Sequence, residues 1–442
     1  MPSVLALDVG SSSVRAQRFD ERGEPLDELR RDRYDGDDPD EMVALVRAVI
    51  DGRDERVDAV GTSCFGHSLI ALDDRGRPLT PVFTWHDIRS AAVADRLRLG
   101  VDSVAVQART GAYVHPAFWP AKLVWLAETE PDVFGRTARF VSFAGYLHEQ
   151  LLGAPAAESL SLASGTGLLD LAEARWDAEL LELLGVAEER LPRLSDDPAD
   201  GWFPALIDGA CSNIGAGCTG GRGALMVGTS AVLRVLHETG RPQPRPGLFM
   251  YRLDERRVAE GGALSDGGNL VAWLDQTLAS EAGSVLDRGP DEHGLAFLPF
   301  LGGERSTGWD PDATGTVDGL TFATTPRDLR QAALEGVAFR LAAVADLLPE
   351  LDEVVATGGA LLRDPDWIQI MADALARPVT VSGVEEASLR GAAVATLERL
   401  DCETAEASLG AVYRPRQDRA DAYRSARERH QRLYEVLRDQ DD

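Results

Sequence analysis

Apolar and polar positions follow two kinds of pattern at the start of the chain. Residues 4–7 are continuously apolar and predict a buried strand, and residues 14–19 alternate and predict the returning strand of a hairpin. Residues 39–50 carry apolar side chains at helical spacing, and strand patterns follow at residues 57–63 and 69–72. Strands, a helix and further strands in this order predict a mixed α/β layer structure.

The rest of the chain continues this mixture. Residues 87–190 are mostly helical in pattern, and the polar segment 196–201 is the best candidate for a linker. Strand and helix patterns return after that segment. We predict strands at residues 224–227, 232–236, 249–253 and 353–357, and helices at residues 328–348, 366–376 and 389–400.

The final helix, residues 420–437, is polar except for a thin apolar stripe. This stripe predicts a helix that docks on the body of the protein, and a helix that binds a partner is the alternative. The stripe consists of Tyr423, Ala426, His430, Leu433 and Leu437.

A short pattern occurs once in each half of the chain. Residues 5–14 are similar to residues 224–232, and the match aligns Gly10 with Gly228. Each copy is an apolar strand, a turn of glycine and hydroxyl residues, and a second strand. Two similar halves that face each other would form a cleft of the kind that binds small ligands. We therefore predict two domains, residues 1–203 and 204–442.

Charge and composition exclude several classes of protein. The chain has 45 basic and 73 acidic residues and a net charge of −28, which argues against binding to nucleic acid or to an anionic membrane. Lys122 is the single lysine, so the chain lacks the GxxxxGK[ST] loop of the P-loop NTPases. The four cysteines form no CxxC pair, which makes a closed zinc site improbable and fits a reducing compartment. The start of the chain shows no signal-peptide pattern, and we expect a cytoplasmic protein.

The first turn carries the groups that bind phosphate without a lysine. Glycine lets the backbone approach a ligand, and hydroxyl groups add hydrogen-bond donors beside the backbone amides. Asp8 stands at the start of the turn, where a carboxylate is compatible with a magnesium ion bound between it and phosphates. Arg15 adds a positive charge. A plain hairpin turn is the alternative. The turn contains Gly10, Ser11, Ser12 and Ser13.

Two further turns have a related composition. Gly228 and Thr229 follow the second copy of the pattern, without an equivalent of Asp8, and are candidates to hold the other side of a nucleotide. Gly358, Gly359 and Ala360 follow a predicted strand, and the double glycine would let a flat nucleoside lie against the backbone. The alternative for this segment is a tight turn from strand to helix.

Asp208 leaves an apolar stretch and enters a turn of small residues. Partial burial would raise its pKa toward the range of a general base, although an Asp-Gly pair is also common in ordinary turns. Residues 215–220 fit the letters GxGxxG, but a strand-like run follows them. A dinucleotide-binding motif requires a strand before it and a helix after it, so we reject that interpretation.

His67, Trp85 and Asp87 lie near the ends of predicted strands, close in sequence to Gly66 and Arg89. Such side chains can hydrogen-bond the hydroxyls of a sugar while the indole stacks on its carbon face. Singly, each has a structural alternative. His67 fits a histidine satisfied in the core, and Asp87 with Arg89 fits an ion pair at a helix start.

Taken together, these motifs resemble the FGGY family of carbohydrate kinases, within the actin/hexokinase/Hsp70-like ATPase superfamily. The matching segments run in family order from residue 4 to about residue 400. The resemblance implies two actin-like (ribonuclease H-like) ATPase domains around a central cleft. The segments are residues 8–15, 85–89, 208–210, 228–229, 315–320, 328–336, 358–360 and 367–373.

The resemblance also implies roles for individual residues. Asp208 would receive the proton of the sugar hydroxyl, and Asp8 would help to position Mg²⁺, with Asp208 as a second metal-binding residue. Sugar contacts would come from Gly66, His67, Trp85, Asp87 and Asp208. Phosphate and nucleoside contacts would come from Ser11, Ser12, Ser13, Arg15, Gly228, Thr229, Gly358, Gly359, Ala360 and Arg363.

Within this family, residues 65–70 and 261–268 are most similar to the gluconate-kinase branch. We therefore expect phosphorylation of D-gluconate to 6-phosphogluconate, with ATP and Mg²⁺. A kinase for a ketopentose or polyol is one alternative, and a non-catalytic ATP-binding regulator of the same fold is another. The expected partner is a small sugar or sugar acid, and a homodimer is one assembly that the resemblance allows.

The chain departs from the family pattern at three positions. Ile207 precedes the catalytic acid, where many relatives have glycine. Arg363 stands where glycerol kinases carry an asparagine near the nucleotide, which leaves this contact open. Gly66 replaces a methionine of the pentulose kinases, which argues against xylulose.

Overall fold

The computed structural model describes residues 2–51, 57–278 and 284–438. Contacts between residues divide the chain into two compact units. Unit 1 comprises Met1–Gly217, Leu236–Ala259 and Val384–Ala407, and unit 2 comprises Cys218–Val235, Glu260–Gly383 and Ser408–Asp442. The predicted linker at residues 196–201 lies within unit 1, and the domain boundary at residue 203 stays a prediction.

The strands of the first part of the chain all belong to unit 1. They are β1 (Val4–Val9), β2 (Ser13–Phe19), β3 (Arg30–Arg33), β4 (Ala59–Cys64), β5 (Ile70–Leu72), β6 (Arg139–Val141), β7 (Leu169–Asp170), β8 (Arg175–Trp176) and β9 (Leu206–Ile207). The main sheet has the order β3-β2-β1-β4-β9. Its first three strands pair antiparallel, and β1, β4 and β9 run parallel.

Burial explains the continuous apolar runs in this sheet. Every residue of β1 and β4 is buried, as expected for central strands that are covered on both faces. By contrast, β3 is exposed along its whole length and has the sequence RRDR. Charged side chains protect such an edge strand from pairing with another chain.

Helices complete unit 1. They are α1 (Pro39–Ile50), α2 (Ala91–Gly100), α3 (Ser103–Thr110), α4 (Trp119–Thr129), α5 (Pro131–Arg136), α6 (Phe143–Leu152), α7 (Leu160–Ser164), α8 (Ala178–Leu184) and α9 (Asp208–Gly215). A 3₁₀ turn at Glu188–Arg190 follows α8. Helix α1 begins where the Asp38 side chain accepts hydrogen bonds from the amides of Asp40 and Glu41, and Pro39 takes the first helical position.

The later strands are β10 (Arg222–Val227), β11 (Ala231–Glu238), β12 (Phe249–Arg252), β13 (Arg257–Leu264), β14 (Ala296–Leu298), β15 (Thr316–Asp318), β16 (Glu353–Thr357), β17 (Val379–Ser382) and β18 (Leu409–Tyr413). Strand β12 lies in unit 1. Of the strands that lie in or enter unit 2, six follow one another in one sheet in the order β13-β11-β10-β16-β17-β18, and β14 and β15 pair with each other separately. Here β10 and β11 pair antiparallel, and β10, β16 and β17 run parallel.

Most of the later helices lie in unit 2, and only α14 belongs to unit 1. They are α10 (Gly268–Thr277), α11 (Pro326–Leu347), α12 (Gly359–Leu362), α13 (Pro365–Leu375), α14 (Ala387–Arg399) and α15 (Ala420–Arg438), with 3₁₀ turns at Val285–Asp287 and Gln417–Arg419. In the described part of the chain, no helix has both the length and the apolar character that a membrane span requires.

The internal repeat is confirmed by the two sheets. In each, the strand before the glycine turn (β1 or β10) pairs antiparallel with the next strand in sequence and parallel with a later one. The α/β class and the long elements agree with the sequence patterns. Among the elements that the patterns did not predict are the strands β13, β14, β15, β17 and β18 and the helices α10 and α12.

The last helix, α15, docks on unit 2 as predicted. Tyr423, Ala426 and His430 of the predicted stripe are buried, and Leu433 and Leu437 pack against a small core with Phe300. Tyr434 is also buried, although it lay outside the predicted stripe. The docking interpretation is therefore confirmed.

Candidate functional site

Three parallel strands of unit 1 end at the same edge of the sheet. The register pairs Val9 of β1 with Cys64 of β4, and Cys64 with Ile207 of β9. The residues that follow these strands therefore leave the sheet at one edge, and they include Gly10 and Asp208. Since neighbouring strands are about 4.8 Å apart, these two chain segments leave the sheet roughly 10 Å from each other.

The turn after β1 is a tight hairpin with an exposed tip. The amide of Gly10 donates to the carbonyl of Ser13 at 2.9 Å, so this amide is used within the turn. The carbonyl of Ser12 accepts a hydrogen bond from the amide of Tyr34 at 3.2 Å. Ser12 is exposed, and Ser11 and Ser13 are half-buried. The tip thus presents three hydroxyl residues in succession.

Asp8 is buried beneath this turn and is held by two donors. Its side chain accepts a hydrogen bond from Ser63 Oγ at 2.9 Å and another from Arg15 Nη1 at 2.8 Å. Burial raises the pKa of Asp8, and the hydrogen bond from Ser63 and the charge of Arg15 oppose that rise. The two donors also fix the direction of the carboxylate.

Arg15 has a second acidic neighbour that the sequence patterns did not indicate. Its Nε lies 3.2 Å from Oε2 of Glu386, the residue just before α14. Burial raises the pKa of Glu386, and Arg15 lowers it. No local signal could have found Glu386, because it is far from Arg15 in the sequence and follows no recognisable motif.

Asp208 is half-buried and forms the first residue of α9. Its Oδ1 accepts a hydrogen bond from the amide of Gly209 at 2.7 Å, and the helix N-terminus favours a negative charge at this position. Helix α9 is packed closely on α14, since a Cβ added to Gly391 would lie 1.8 Å from the carbonyl oxygen of Cys211. This close contact fixes the start of α9, and Asp208 with it.

The charges of Asp8 and Asp208 act on the same thiol. Burial raises the pKa of Cys64 well above its usual value, and the nearby Asp208, Glu158 and Asp8 carboxylates raise it further. A buried thiol in acidic surroundings is not activated as a nucleophile. The two acids that the sequence singled out therefore share one neighbourhood within unit 1.

His67 follows β4 in an unusual backbone conformation. Its φ of 66° lies in the left-handed region, which is rare for residues other than glycine. Its Nδ1 is 2.5 Å from the carbonyl oxygen of Gly165, which can only accept, so Nδ1 carries the proton. The ring lies edge-on to Phe118 and near Tyr251, with centroids 4.8 and 5.7 Å away.

Gly66 links the loop of His67 to the strand that carries Asp208. A Cβ at Gly66 would lie 2.5 Å from Cδ1 of Ile207, the residue before Asp208. The small size of residue 66 lets the larger Ile207 side chain fill this space. The structure therefore places Gly66 and His67 beside the last residue of β9.

Trp85 and Asp87 lie together in the segment before α2. Trp85 is 45% exposed and lies edge-on to His86. The carboxylate of Asp87 accepts hydrogen bonds from the amide of Arg89 at 3.1 Å and from its Nε at 2.8 Å. Asp87 therefore forms the ion pair with Arg89 that was its structural alternative. Trp85 remains partly exposed at the surface.

In unit 2, the two predicted glycine turns also follow neighbouring parallel strands. Met226 of β10 pairs with Thr357 of β16, so the turns at Gly228 and Gly358 lie at one edge. Gly358 has a φ of 90°, and a Cβ there would lie 2.4 Å from the carbonyl oxygen of Val227. Only glycine fits this close approach of two turns.

The start of α10 contacts the turn at Gly228, and the sequence analysis did not predict this contact. The amides of Gly268 and Asn269 donate to the carbonyls of Gly228 and Thr229, at 2.8 and 3.1 Å. A Cβ on Gly268 would lie 2.7 Å from Cβ of Ala360. The adjacent glycines at 267 and 268 were the available signal for this contact.

Arg363 lies beside the double-glycine turn. Its Nη1 is 3.1 Å from the position that a Cβ at Gly359 would occupy, and its side chain is exposed. The predicted site residues are thus divided between the two units. Asp8, Ser11, Ser12, Ser13, Arg15, Gly66, His67, Trp85, Asp87 and Asp208 lie in unit 1, and Gly228, Thr229, Gly358, Gly359, Ala360 and Arg363 lie in unit 2.

Unit 1 also contains an open cavity of about 750 Å³. Its lining includes Arg193, Asp196, Arg256 and Arg399. No residue predicted for binding is among the described residues that line this cavity. Its mixed charges do not select a ligand class, and we assign none.

Comparisons with known proteins match both parts of the chain to one family. The model for the N-terminal domain of the FGGY family of carbohydrate kinases matches residues 3–199, and the model for the C-terminal domain matches residues 223–397. The two models together cover most of the chain, in the expected order.

Individual relatives extend these matches over nearly the full length. A gluconokinase from Bacillus subtilis (strain 168) is 28% identical over 96% of this chain and 93% of its own. A glycerol kinase from Thermus brockianus is 33% identical over 74% of this chain and 72% of its own. The crystal structure of a gluconate kinase from Lactobacillus acidophilus superposes with a TM-score of 0.89 at 25% identity, over 99% of this chain and 98% of that one.

Proposed function

Because the chain belongs to the FGGY family of carbohydrate kinases, we propose that it phosphorylates a hydroxyl of D-gluconate with ATP and forms 6-phosphogluconate. The family makes the chain a phosphotransferase that uses ATP and a small sugar-type substrate. The choice of gluconate is supported by the gluconokinase similarity over 96% of the chain. The structural observation that carries the proposal is the common sheet edge of Asp208 and the Gly10 turn.

In this proposal, Asp208 is the general base. Its carboxylate accepts the proton of the sugar hydroxyl as that oxygen attacks the γ-phosphorus, while the bond from this phosphorus to the β,γ-bridging oxygen breaks and ADP leaves. The position at the start of α9 supports this role, because a helix N-terminus interacts favourably with a negatively charged side chain. Phosphoryl transfer requires mainly such positioning and neutralisation of charge.

The phosphates are assigned to the two hydroxyl-rich hairpin turns. In unit 1, Ser12 is exposed at the tip of the turn, where its hydroxyl group can bind a phosphate. Ser11, Ser13 and Arg15 lie beside it. In unit 2, Gly228 and Thr229 form the turn whose carbonyls are occupied by the amides of α10. Hydroxyl groups and a guanidinium can therefore bind phosphate without a lysine.

The nucleoside is assigned to the double-glycine turn of unit 2. Gly358, Gly359 and Ala360 present backbone without bulky side chains, so a flat base can lie against them. The exposed guanidinium of Arg363 lies beside Gly359, where it can stack on a base or pair with a phosphate.

The sugar is assigned to Gly66, His67, Trp85 and Asp87. Nδ1 of His67 donates to the carbonyl of Gly165, which orients the imidazole for hydrogen bonding to a sugar hydroxyl. Asp87 can accept further hydroxyl hydrogen bonds beside Arg89, and the exposed face of Trp85 can stack on the carbon chain.

Mg²⁺ is proposed to accompany the nucleotide. In residues 2–51, 57–278 and 284–438, no group of three or more acidic, histidine or cysteine side chains could hold a metal ion by itself. Two carboxylates at one edge, Asp8 and Asp208, nevertheless fit Mg²⁺, which keeps water and phosphate oxygens as most of its ligands. When bound, the ion would neutralise charge on the phosphates. The use of ATP also supports a cytoplasmic location.

The experiment that tests the proposal measures ADP release in a coupled assay with gluconate, xylulose, ribulose, glycerol and erythritol. Gluconate should give the highest kcat/KM, and ADP release should depend on added sugar. Release that is independent of every sugar would contradict the proposal.

Glycerol is the second candidate substrate. The observation that favours it is the 33% identity to a glycerol kinase. That match covers 74% of the chain, whereas the gluconokinase match covers 96%. If kcat/KM is higher for glycerol than for gluconate in the same assay, glycerol is the preferred substrate.

A further inference from the structure

Lys122, the single lysine of the chain, is buried in unit 1 on α4. Its side chain is among the largest fully buried ones, with 1% of the residue exposed. Burial lowers the pKa of Lys122 to about 7. An ammonium group taken out of water is costly unless several acceptors surround it, so its partners indicate what it does.

The Nζ of Lys122 meets three backbone carbonyl oxygens. It donates to His67 at 2.8 Å, to Thr84 at 2.9 Å and to Phe83 at 3.4 Å. An ammonium has three N–H donors, so this set of acceptors matches it in number. The carbonyls come from two separate segments, the turn after β4 and the segment that leads into Trp85. Lys122 therefore connects these two segments to each other and to α4.

Two other side chains on the same face of α4 contact the same segments. Trp119 Nε1 donates to the carbonyl of Ser68 at 2.8 Å. The ring of Trp125 lies edge-on to Phe83, with centroids 5.9 Å apart. Because positions 119, 122 and 125 are three residues apart, they share one face of the helix. This face supports both segments, and the hydrogen bonds of Lys122 lie at its centre.

The backbone of His67 gives this contact a specific consequence. A histidine with φ of 66° is in a conformation that costs free energy and persists only where its surroundings hold it. Lys122 holds the carbonyl of this residue, and Gly165 accepts from its ring. Without the ammonium, one of these two restraints is lost, and the imidazole loses its fixed position relative to Trp85.

We propose that Lys122 is a positioning residue for sugar binding, which fixes His67 and Trp85 at a set separation by binding the carbonyls of His67 and Thr84. This inference rests on the proposed function, in which those two side chains contact the sugar. Lys122 itself does not touch the substrate. Its effect should therefore appear in the KM for the sugar rather than in the KM for ATP.

The first test replaces Lys122 with a methionine of similar length. We expect Lys122→Met to lower kcat/KM for the sugar about 10- to 100-fold, mainly through a higher sugar KM, because small displacements of binding groups have effects of this size. The KM for ATP should stay within about two-fold. Leu126→Ala is the matched control, since Leu126 is buried on the same helix and its side chain has no hydrogen-bond donor. It should lower stability without raising the sugar KM.

The second test does not require the variant to fold. Lysine labelled with ¹³C and ¹⁵N gives one Cε–Nζ signal from the wild-type chain, because Lys122 is the only lysine. This signal should shift in a saturable manner as gluconate is added. It should shift less when a non-hydrolysable ATP analogue is added alone.

The outcomes separate this inference from the proposed function. An unchanged sugar KM in folded Lys122→Met, an equal rise in Leu126→Ala, or a lysine signal that does not respond to saturating sugar would each overturn the role of Lys122 alone. If the wild-type chain phosphorylates none of the sugars, the proposed function fails first, and the inference fails with it.

Discussion

Asp8 and Arg15 face each other across the first hairpin, and Arg15 Nη1 lies 2.8 Å from Asp8 Oδ2. The β-ladder register sets this pair, because Asp8 of β1 is directly opposite Arg15 of β2. Glu386 forms a second ion pair with Arg15, through the Nε atom of its guanidinium. A buried acid with a fixed direction thus stands beneath a turn of three serines, and this arrangement leads to the first prediction.

Asp8→Asn should raise the Mg²⁺ concentration needed for half-maximal activity about 10- to 150-fold, because the loss of one charged interaction costs on the order of 1.5–3 kcal/mol. A magnesium titration of initial rates at saturating ATP would measure this. Asp27→Asn is the control, since Asp27 pairs with Arg18 of β2 at 2.9 Å and Arg18 lies at the end of β2 away from the turn. Equal magnesium requirements in the two variants would contradict the role of Asp8.

Asp208→Asn should lower kcat about 10²- to 10⁴-fold, because the amide cannot accept the proton of the sugar hydroxyl. The affinity for ATP, measured by calorimetry, should change little. Asp132→Asn, at an exposed position in the first turn of α5, should have the activity of the wild type. A variant at position 208 that keeps the wild-type kcat would exclude Asp208 as the base.

His67→Asn should raise the KM for the sugar about 2- to 10-fold, the effect of losing one hydrogen bond, and should leave the KM for ATP unchanged. Asparagine tolerates a positive φ better than most residues, so the substitution removes the imidazole while it limits the backbone effect. Steady-state kinetics with both substrates varied would measure the difference. His237→Asn is the control on β11, and proportional changes in both KM values would place His67 outside the sugar site.

Gly358→Ala should lower the stability of the protein by about 1–3 kcal/mol and raise the KM for ATP, because a side chain at φ of 90° is strained and its Cβ would lie 2.4 Å from Val227 O. Thermal unfolding and ATP kinetics would measure the two effects. At Gly240 an added Cβ meets no atom within 4 Å, so Gly240→Ala should change neither quantity. A stable Gly358→Ala variant with normal ATP kinetics would contradict the close-packed turn.

Glu158→Gln should remove a pH dependence of stability. Burial raises the pKa of Glu158 from 4.5 to about 7, so the folded protein binds the proton more tightly than the unfolded chain. The stability that this provides is complete below pH 4.5 and is lost as the pH rises through 7. The loss amounts to about 3 kcal/mol.

The variant should therefore be more stable than the wild type at pH 8 and similar to it near pH 4.5, as measured by urea unfolding. Glu182→Gln, at an exposed position on α8, provides the comparison and should show the wild-type pH dependence. A constant difference between Glu158→Gln and the wild type at every pH would show that Glu158 does not titrate in this range.

The sequence predicted those elements whose signal is local. Helix α1 and strand β16 have the predicted bounds, because a capping residue with a proline and a short apolar run mark them directly. The two hydroxyl-rich turns and Asp208 could also be identified as candidate site residues. Glycine and serine in a turn, or a single acid after an apolar stretch, indicate ligand binding when they follow a strand. Family resemblance then assigned them chemistry.

The tertiary structure decided which distant residues meet. The pairing of Arg15 with Glu386, the amides of α10 on the Gly228 turn, and the carbonyls around Lys122 all join segments that are remote in sequence. Such contacts depend on strand register and helix packing, and neither leaves a periodic pattern in the chain. The residues alone therefore indicated the kinds of group that the protein uses, and the fold determined which of these groups lie within hydrogen-bonding distance of one another.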